Sequence, residues 1–197
     1  MAADLTIHPA TADRWGDLVA VMDSSYNSRC CYCAYWYLPN ADYKAGWGKG
    51  NEATLERLAK DGKQPGLLAY VNGTPAAWVG VAPRGNFDRL NRSRNFAPGD
   101  DKDVWAVNCF VVAKEFRRQG LLPQLAGAAA DFAIGRGADG AEAYPIVPGP
   151  KSSPADLYLG TERSFLDAGY VEVARPLPRR PVMRKMKKFS RRSAAQN

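Results

Sequence analysis

Arg117, Arg118 and Gly120 form the part of this sequence best suited to hold a charged group. They lie in KEFRRQG (residues 114–120), a short basic turn between an apolar run and a helical pattern. The first amides of a helix have no partner inside it, and the helix dipole adds partial positive charge there. Two arginines and the amides around Gly120 therefore suit a phosphate or pyrophosphate. The same turn also serves as an ordinary strand-to-helix connection with solvated arginines. A second group lies in SSYNSRCCYCAYWYLP (residues 24–39), where Tyr26, Tyr32, Tyr35, Trp36 and Tyr37 mix with Cys30, Cys31 and Cys33. Aromatic rings beside thiols make pocket walls and pack equally well as core. The fourth cysteine, Cys109, is remote in sequence. Three crowded thiols and one distant one do not make a disulfide framework, and in a cytoplasmic chain all four are expected to be reduced. His8 is the only histidine and lies far from the cluster, so no metal site is expected.

The elements that must hold these groups follow from periodicity. Residues 104–113 are rich in Val, Phe and Trp with only Asn108 clearly polar, the pattern of a strand covered on both faces. Pro123 suits a first helical turn, and Leu122, Leu125, Ala129, Phe132 and Ala133 follow at helical spacing. Upstream, residues 5–8 predict a strand ended by Pro9, and Trp15, Leu18, Val19 and Met22 make a helical stripe. Residues 51–60 read as a surface helix stopped at Gly62. Residues 66–71 and 76–81 are strands around Asn72-Gly73, a hairpin signal because both turn positions favour positive φ. Residues 84–103 make a long polar loop with four arginines. Downstream, residues 141–147 are a strand with Glu142 and Tyr144 on one face. Residues 155–168 are a helix interrupted near Gly160 and capped by Gly169. Residues 170–174 and 181–186 are two strands joined by PLPRR.

A chain of 197 residues is large enough for one domain with a sizeable core, expected over residues 1–188, with 189–197 a basic C-terminal tail. No apolar run approaches the roughly 20 residues that cross a bilayer, and the N-terminus lacks the pattern of a signal peptide. A cytoplasmic protein without membrane association is expected. The net charge of +7 is unevenly placed. Nine Lys or Arg and no acid follow from Arg175 onward, while the first 174 residues, with 18 bases and 20 acids, are close to neutral. Such a strip can reach nucleic acid or an acidic surface; a solvated terminus is the simpler reading.

A strand feeding R-x-x-G into a helix, within the order strand, helices, three strands, helix, strand, helix, two strands, resembles the GNAT superfamily of acyl-CoA-dependent N-acetyltransferases. The resemblance spans roughly residues 5–187. Its most specific part is Arg117-Arg118-Gln119-Gly120-Leu121-Leu122, which matches the family's Q/R-x-x-G-x-G/A loop at the Arg and first Gly; Leu122 stands where a small residue is usual. Phe165-Leu-Asp-Ala-Gly169-Tyr170 matches a second family motif, Tyr-x-x-x-Gly-Phe.

The resemblance implies an α+β fold, a GNAT-type mixed, mostly antiparallel twisted sheet flanked by helices on both faces. It implies transfer of an acetyl group from acetyl-CoA to a primary amine of a small molecule, by direct attack in a ternary complex. In that family the strand before the loop splays from its neighbour and pairs with the pantetheine arm. By position this falls to Phe110, Val111 and Val112, with the Val112 amide beside the thioester carbonyl. The amides of Arg118, Gln119, Gly120, Leu121 and Leu122 would take the pyrophosphate. The family's acid falls on Phe165 and its base on Ala106, neither of which can move a proton. The expected replacements are Glu142, Tyr144 and Tyr158. The acceptor is expected near Tyr26, Cys33, Trp36 and Arg92, with a partly apolar body and an acidic group that the arginines admit. The competing reading is an acyl-CoA-binding module or protein acetyltransferase that uses the basic C-terminus to reach nucleic acid or a protein partner. A homodimer is left open.

Overall fold

The computed structural model describes residues 4–97, 99–150 and 152–188; the expected basic tail (189–197) lies outside them. β1 (Leu5–Pro9) leads through a 3-10 turn (Ala12–Arg14) into α1 (Trp15–Met22), whose Leu18, Val21 and Met22 are buried. Residues 24–39, which sequence left unplaced, fold into α2 (Tyr26–Cys31) and α3 (Ala34–Tyr37). The joint between them is the consecutive left-handed pair Tyr32 (φ 44°) and Cys33 (φ 53°). Next come α4 (Asn40–Ala45) and α5 (Lys49–Lys60). α5 starts earlier than expected because Asn51 is no cap: its buried amide donates to the carbonyls of Cys30 (3.0 Å) and Tyr43 (3.3 Å).

β2 (Gly66–Val71) and β3 (Thr74–Pro83) form the expected hairpin, with positive φ at both Asn72 and Gly73. The loop at 84–103 is less open than its composition suggests, since it contains α6 (Asp88–Asn91). Then follow β4 (Val104–Val112), α7 (Leu121–Gly135) and β5 (Gly140–Ala143). β5 ends four residues before the predicted boundary, shortly before Pro145, which has no amide to give a ladder. A 3-10 helix (Pro154–Leu159) and α8 (Glu162–Asp167) replace the single predicted helix, broken at Gly160 as expected. β6 (Val171–Leu177) and β7 (Arg180–Met186) close the chain.

The seven strands lie in the order β1-β2-β3-β4-β5-β7-β6, all antiparallel except the β4–β5 pair. A parallel pair needs a crossover, and α7 supplies it. Side chains alternate across the sheet, so each face has its own core. Leu67, Val79, Val107, Phe110 and Phe165 pack under α7. Along α7, Leu125, Ala126, Ala129, Ala130 and Ala133 are buried, and the small alanines let the helix sit close to the strands. On the other face Leu68, Trp78, Cys109, Val111 and Tyr144 pack with Leu18, Met22, Tyr32 and Trp36. The fold is α+β, with helices on both faces. Among the described residues no helix is long and apolar enough to cross a membrane.

β2 tolerates no side chain at its first residue. A Cβ on Gly66 would overlap the Val79 carbonyl oxygen and lie 2.5 Å from Trp78 Cη2. Backbone cannot give way as a flexible side chain can, so Gly66→Ala is expected to cost about 2–3 kcal/mol. The urea midpoint of unfolding measures it.

Candidate functional site

β4 and β5 pair from Val104–Gly140 to Val107–Ala143, and residues 108–112 of β4 run on without a strand partner on that side among the described residues. On the other side β4 stays paired to β3, and the Ala113 amide donates to the Ala76 carbonyl at 2.9 Å. Antiparallel alternation then turns the amide of Val111 towards β3 and those of Phe110 and Val112 into the opening. Of the three residues expected to meet the pantetheine arm, two therefore offer backbone there, and Val111 offers only its side chain, to the opposite face. The Val112 carbonyl accepts from Arg117 Nε at 3.1 Å. A register shift leaves Cys109 (φ 54°) as a bulge, which bends the strand where the opening begins. Asn108 sits at the same place, with its buried Nδ2 unpartnered among the described residues.

Beyond β4 the chain enters the basic turn. Arg118 (φ 62°) and Gly120 (φ 72°) are both left-handed, and Gly120 is the N-cap of α7. Glycine takes that conformation without a Cβ penalty. The amides of Arg118, Gln119 and Gly120 find no acceptor among the described residues. Those of Leu121 and Leu122 open a 15-residue helix and have no partner within it. The result is a row of donors at the positive end of α7, flanked by two exposed arginines. Leu121 is buried, and Leu122, at the departing position, is half-buried and packs against the core under α7.

On the sheet face that carries α1–α6, a cavity of about 730 Å³ opens beside Cys109 and Val111. Its walls include Cys33, Trp36 and Arg92, three of the residues predicted for the acceptor. Tyr26 is not among them: it is 62% exposed, with Arg29 over its ring. Cys33 and Cys109 are joined in a disulfide, contrary to the expectation of four reduced thiols; Cys30 and Cys31 are free. The left-handed turn at Tyr32–Cys33 and the bulge at Cys109 bring the two Cα atoms to 6.3 Å, within reach of a bond that sequence spacing does not reveal.

The predicted proton carriers separate. Glu142 and Tyr144 do meet, but in a buried network away from the cavity wall. Glu142 is 3% exposed and accepts from Arg184 Nε (2.6 Å) and from the Tyr144 hydroxyl, with Arg84 Nε at 3.5 Å. Arg84 Nε also donates to the Tyr144 oxygen at 3.1 Å, and Arg184 reaches Asp100 at 2.7 Å. Burial, and then the neighbouring Glu142 charge, push the Tyr144 phenol far above its ordinary pKa. The Arg184 hydrogen bond holds the Asp100 carboxyl below its ordinary range. This network ties the 84–103 segment to β5 and β7, and both carboxylates already have guanidinium partners. Tyr158, by contrast, lies on the cavity wall. Its hydroxyl is 2.8 Å from Ser25 Oγ, which is 2.8 Å from Ser28 Oγ, and Ser28 donates on to the Met22 carbonyl. Phe165, at the family's usual tyrosine position, is fully buried against Phe110 and Tyr170 on the α7 face. Ala106 is buried on the cavity-side face.

Sequence reasoning expects the 84–103 loop beside the acceptor but singles out only its Arg92; Arg89 and Phe96 of that loop also stand on the cavity wall, and Arg180 there is missed altogether. In sequence Arg180 belongs to the basic strip, and the pairing of β7 beside β5 brings it to the cavity. No local signal marks it.

The acetyltransferase (GNAT) family matches the chain over residues 32–147. No curated protein matches the sequence. Similar solved structures include the paia N-acetyltransferase of Thermoplasma acidophilum in complex with coenzyme A, at 10% identity, 93% of this chain, 99% of that one and a TM-score of 0.54. A GNAT-family acetyltransferase of Streptococcus agalactiae is 12% identical over 94% of this chain and 96% of its own, with a TM-score of 0.54. AAC(6')-Ib in complex with paromomycin and acetyl-CoA is 14% identical over 93% and 94%, with a TM-score of 0.52. At such identities the likeness is one of fold. The family match covers more than half of the chain and includes the splayed strand, the basic turn and α7, so the chain belongs to the acetyltransferase (GNAT) family.

Proposed function

We propose that this protein transfers an acetyl group from acetyl-CoA to the primary amine of a small molecule, by direct attack in a ternary complex. One observation carries the reading: the unpaired stretch of β4 has the row of free amides beyond one end and the 730 Å³ cavity against its bulge. A cosubstrate with its pyrophosphate on residues 118–122 and its arm along Phe110 and Val112 would bring its thioester to the cavity. Bound coenzyme A in the Thermoplasma enzyme and bound acetyl-CoA in AAC(6')-Ib support the choice of cosubstrate by analogy of fold.

The neutral amine attacks the thioester carbonyl, a C–N bond forms, and the carbonyl oxygen takes negative charge. The Val112 amide is placed to stabilise that charge. Collapse breaks the C–S bond, the thiolate leaves, and a proton must reach it. Of the three tyrosines on the cavity wall, Tyr35, Tyr43 and Tyr158, it is Tyr158 whose hydroxyl stands on the Ser25–Ser28 chain and would give that proton. The amine sheds its protons through water to solvent at the cavity mouth.

Free CoA thiol measured against a panel of primary amines tests the reading, with release requiring both substrates. Tyr158→Phe is expected to lower kcat about 10²-fold while leaving the KM for acetyl-CoA in place. An unchanged kcat would remove Tyr158 from the role.

A further inference from the structure

Five charged side chains line the cavity: Asp88, Asp156, Arg89, Arg92 and Arg180. Both acids are engaged. Asp88 Oδ1 accepts from Arg92 Nη2 (2.7 Å) and Nε (2.9 Å) on the same turn. Asp156 caps its own 3-10 helix, accepting from the Ser153 amide at 2.8 Å. Arg92 is thereby neutralised, which removes the arginine that sequence had favoured. The other two guanidiniums have only neutral partners among the described residues. Arg89 donates to the Tyr35 carbonyl and to Asn40 Oδ1 (3.3 Å), and lies 3.7 Å above the Tyr35 ring. Arg180 donates to the Tyr144 carbonyl at 3.3 Å and lies 5.1 Å from the Phe96 ring centre, while its buried Nε has no partner.

A desolvated guanidinium without an anion is costly, and its forked donors match a carboxylate better than any neutral group. Burial also pulls the Arg180 pKa below its ordinary value, against the Asp156 carboxylate, which acts on it through space without a direct ion pair. The remaining wall is largely aromatic or apolar, with Trp36, Tyr43, Trp47, Leu90 and Val111. Asp88 already has a cation and Asp156 is held by its own helix, and the five charges leave the cavity with a net charge of one positive, which disfavours a polycation.

We infer that the acceptor is an amine of amino-acid type, with a carboxylate held by Arg180 and Arg89 and an apolar or aromatic body against the rings. This rests on the acetyl-transfer reading and narrows it. Acetylation removes the amine's charge, and the product leaves as a carboxylate anion with one CoA thiol.

The test compares phenylalanine, leucine, methionine and tyrosine, each with its carboxamide and its decarboxylated amine, and spermidine as a polycation. Rates of CoA thiol release give kcat/KM for each. The carboxamides have the more acidic ammonium and so more free amine near pH 8, which biases the comparison against the proposal. At least one amino acid is expected to exceed both of its partners by about tenfold or more. Arg180→Gln is expected to raise that amino acid's KM about 10- to 100-fold and shrink its advantage over the carboxamide below about threefold; Arg180→Lys should retain part of it. Equal rates for acids and carboxamides, a preference for spermidine, or a preference untouched by Arg180→Gln would overturn the inference. Binding of the four N-acetyl amino acids and their carboxamides to the CoA complex, followed by calorimetry, separates the two readings. Arg180-dependent binding of an acid with no thiol release in any arm would leave this inference standing and end the transfer reading. Transfer without a charge preference would do the reverse.

Discussion

Replacing Val112 by proline is expected to lower kcat for acetyl transfer about 10²–10³-fold while the sheet stays folded. Proline in a central strand normally breaks a ladder bond, but the Val112 amide faces the β4–β5 opening and gives β3 nothing to lose. The substitution thus removes one outward donor and little else. The residue before it, Val111, is already extended, the conformation that proline imposes on its predecessor. The Val112 carbonyl remains for Arg117 Nε. Val112→Ala keeps the amide and is the control, with kcat expected within about threefold of the parent. Circular dichroism reports the fold, and steady-state rates at saturating acetyl-CoA report the chemistry. A folded proline variant with parental kcat would show that the oxyanion is stabilised elsewhere.

Arg184→Ala is expected to lower the unfolding free energy by about 3–5 kcal/mol. It removes the closest cation from Glu142, which is buried, and leaves that carboxylate to Arg84 and a tyrosine hydroxyl. It also releases Asp100, the anchor of the 84–103 segment. Truncating one member of a buried pair is worse than replacing both, so Arg184→Met combined with Glu142→Leu is expected to recover much of the loss. Glu142→Gln separates structure from catalysis. If Glu142 served as the base, kcat would collapse in a protein of parental stability; the network predicts a lower denaturant midpoint with kcat per folded molecule nearly intact.

Much of this fold is written in short-range signals. Asn72-Gly73, the R-x-x-G turn, the Gly169 cap and the α7 stripe depend on residues a few positions apart, and each stands where periodicity places it. The half of the site proposed for the cosubstrate is legible for the same reason, because backbone provides it and strand order locates it. The half proposed for the acceptor is built from contacts across long separations. Cys33 meets Cys109 over 76 residues, and Glu142 meets Arg184 over 42. Glu142 and Tyr144 have the alternation of a paired acid and phenol, which is why sequence promotes them. Only their arginine partners reveal that the pair is occupied. Tyr26 fails differently: it shares a segment with Trp36 and Cys33, but α2 turns it towards solvent.

The unpaired stretch of β4 is also a strand edge inside a sheet, and bare edges invite pairing with other chains. Here that hazard is contained. The bulge at Cys109 twists the edge, the bond to Cys33 pins it, Arg117 occupies its outward carbonyl at Val112, and the 3-10 helix at Pro154–Leu159 packs alongside. A foreign strand carrying side chains on both faces meets these obstacles at once. A thin, extended partner that needs one or two hydrogen bonds does not, so the same features that guard the molecule against self-association also filter what can complete its sheet.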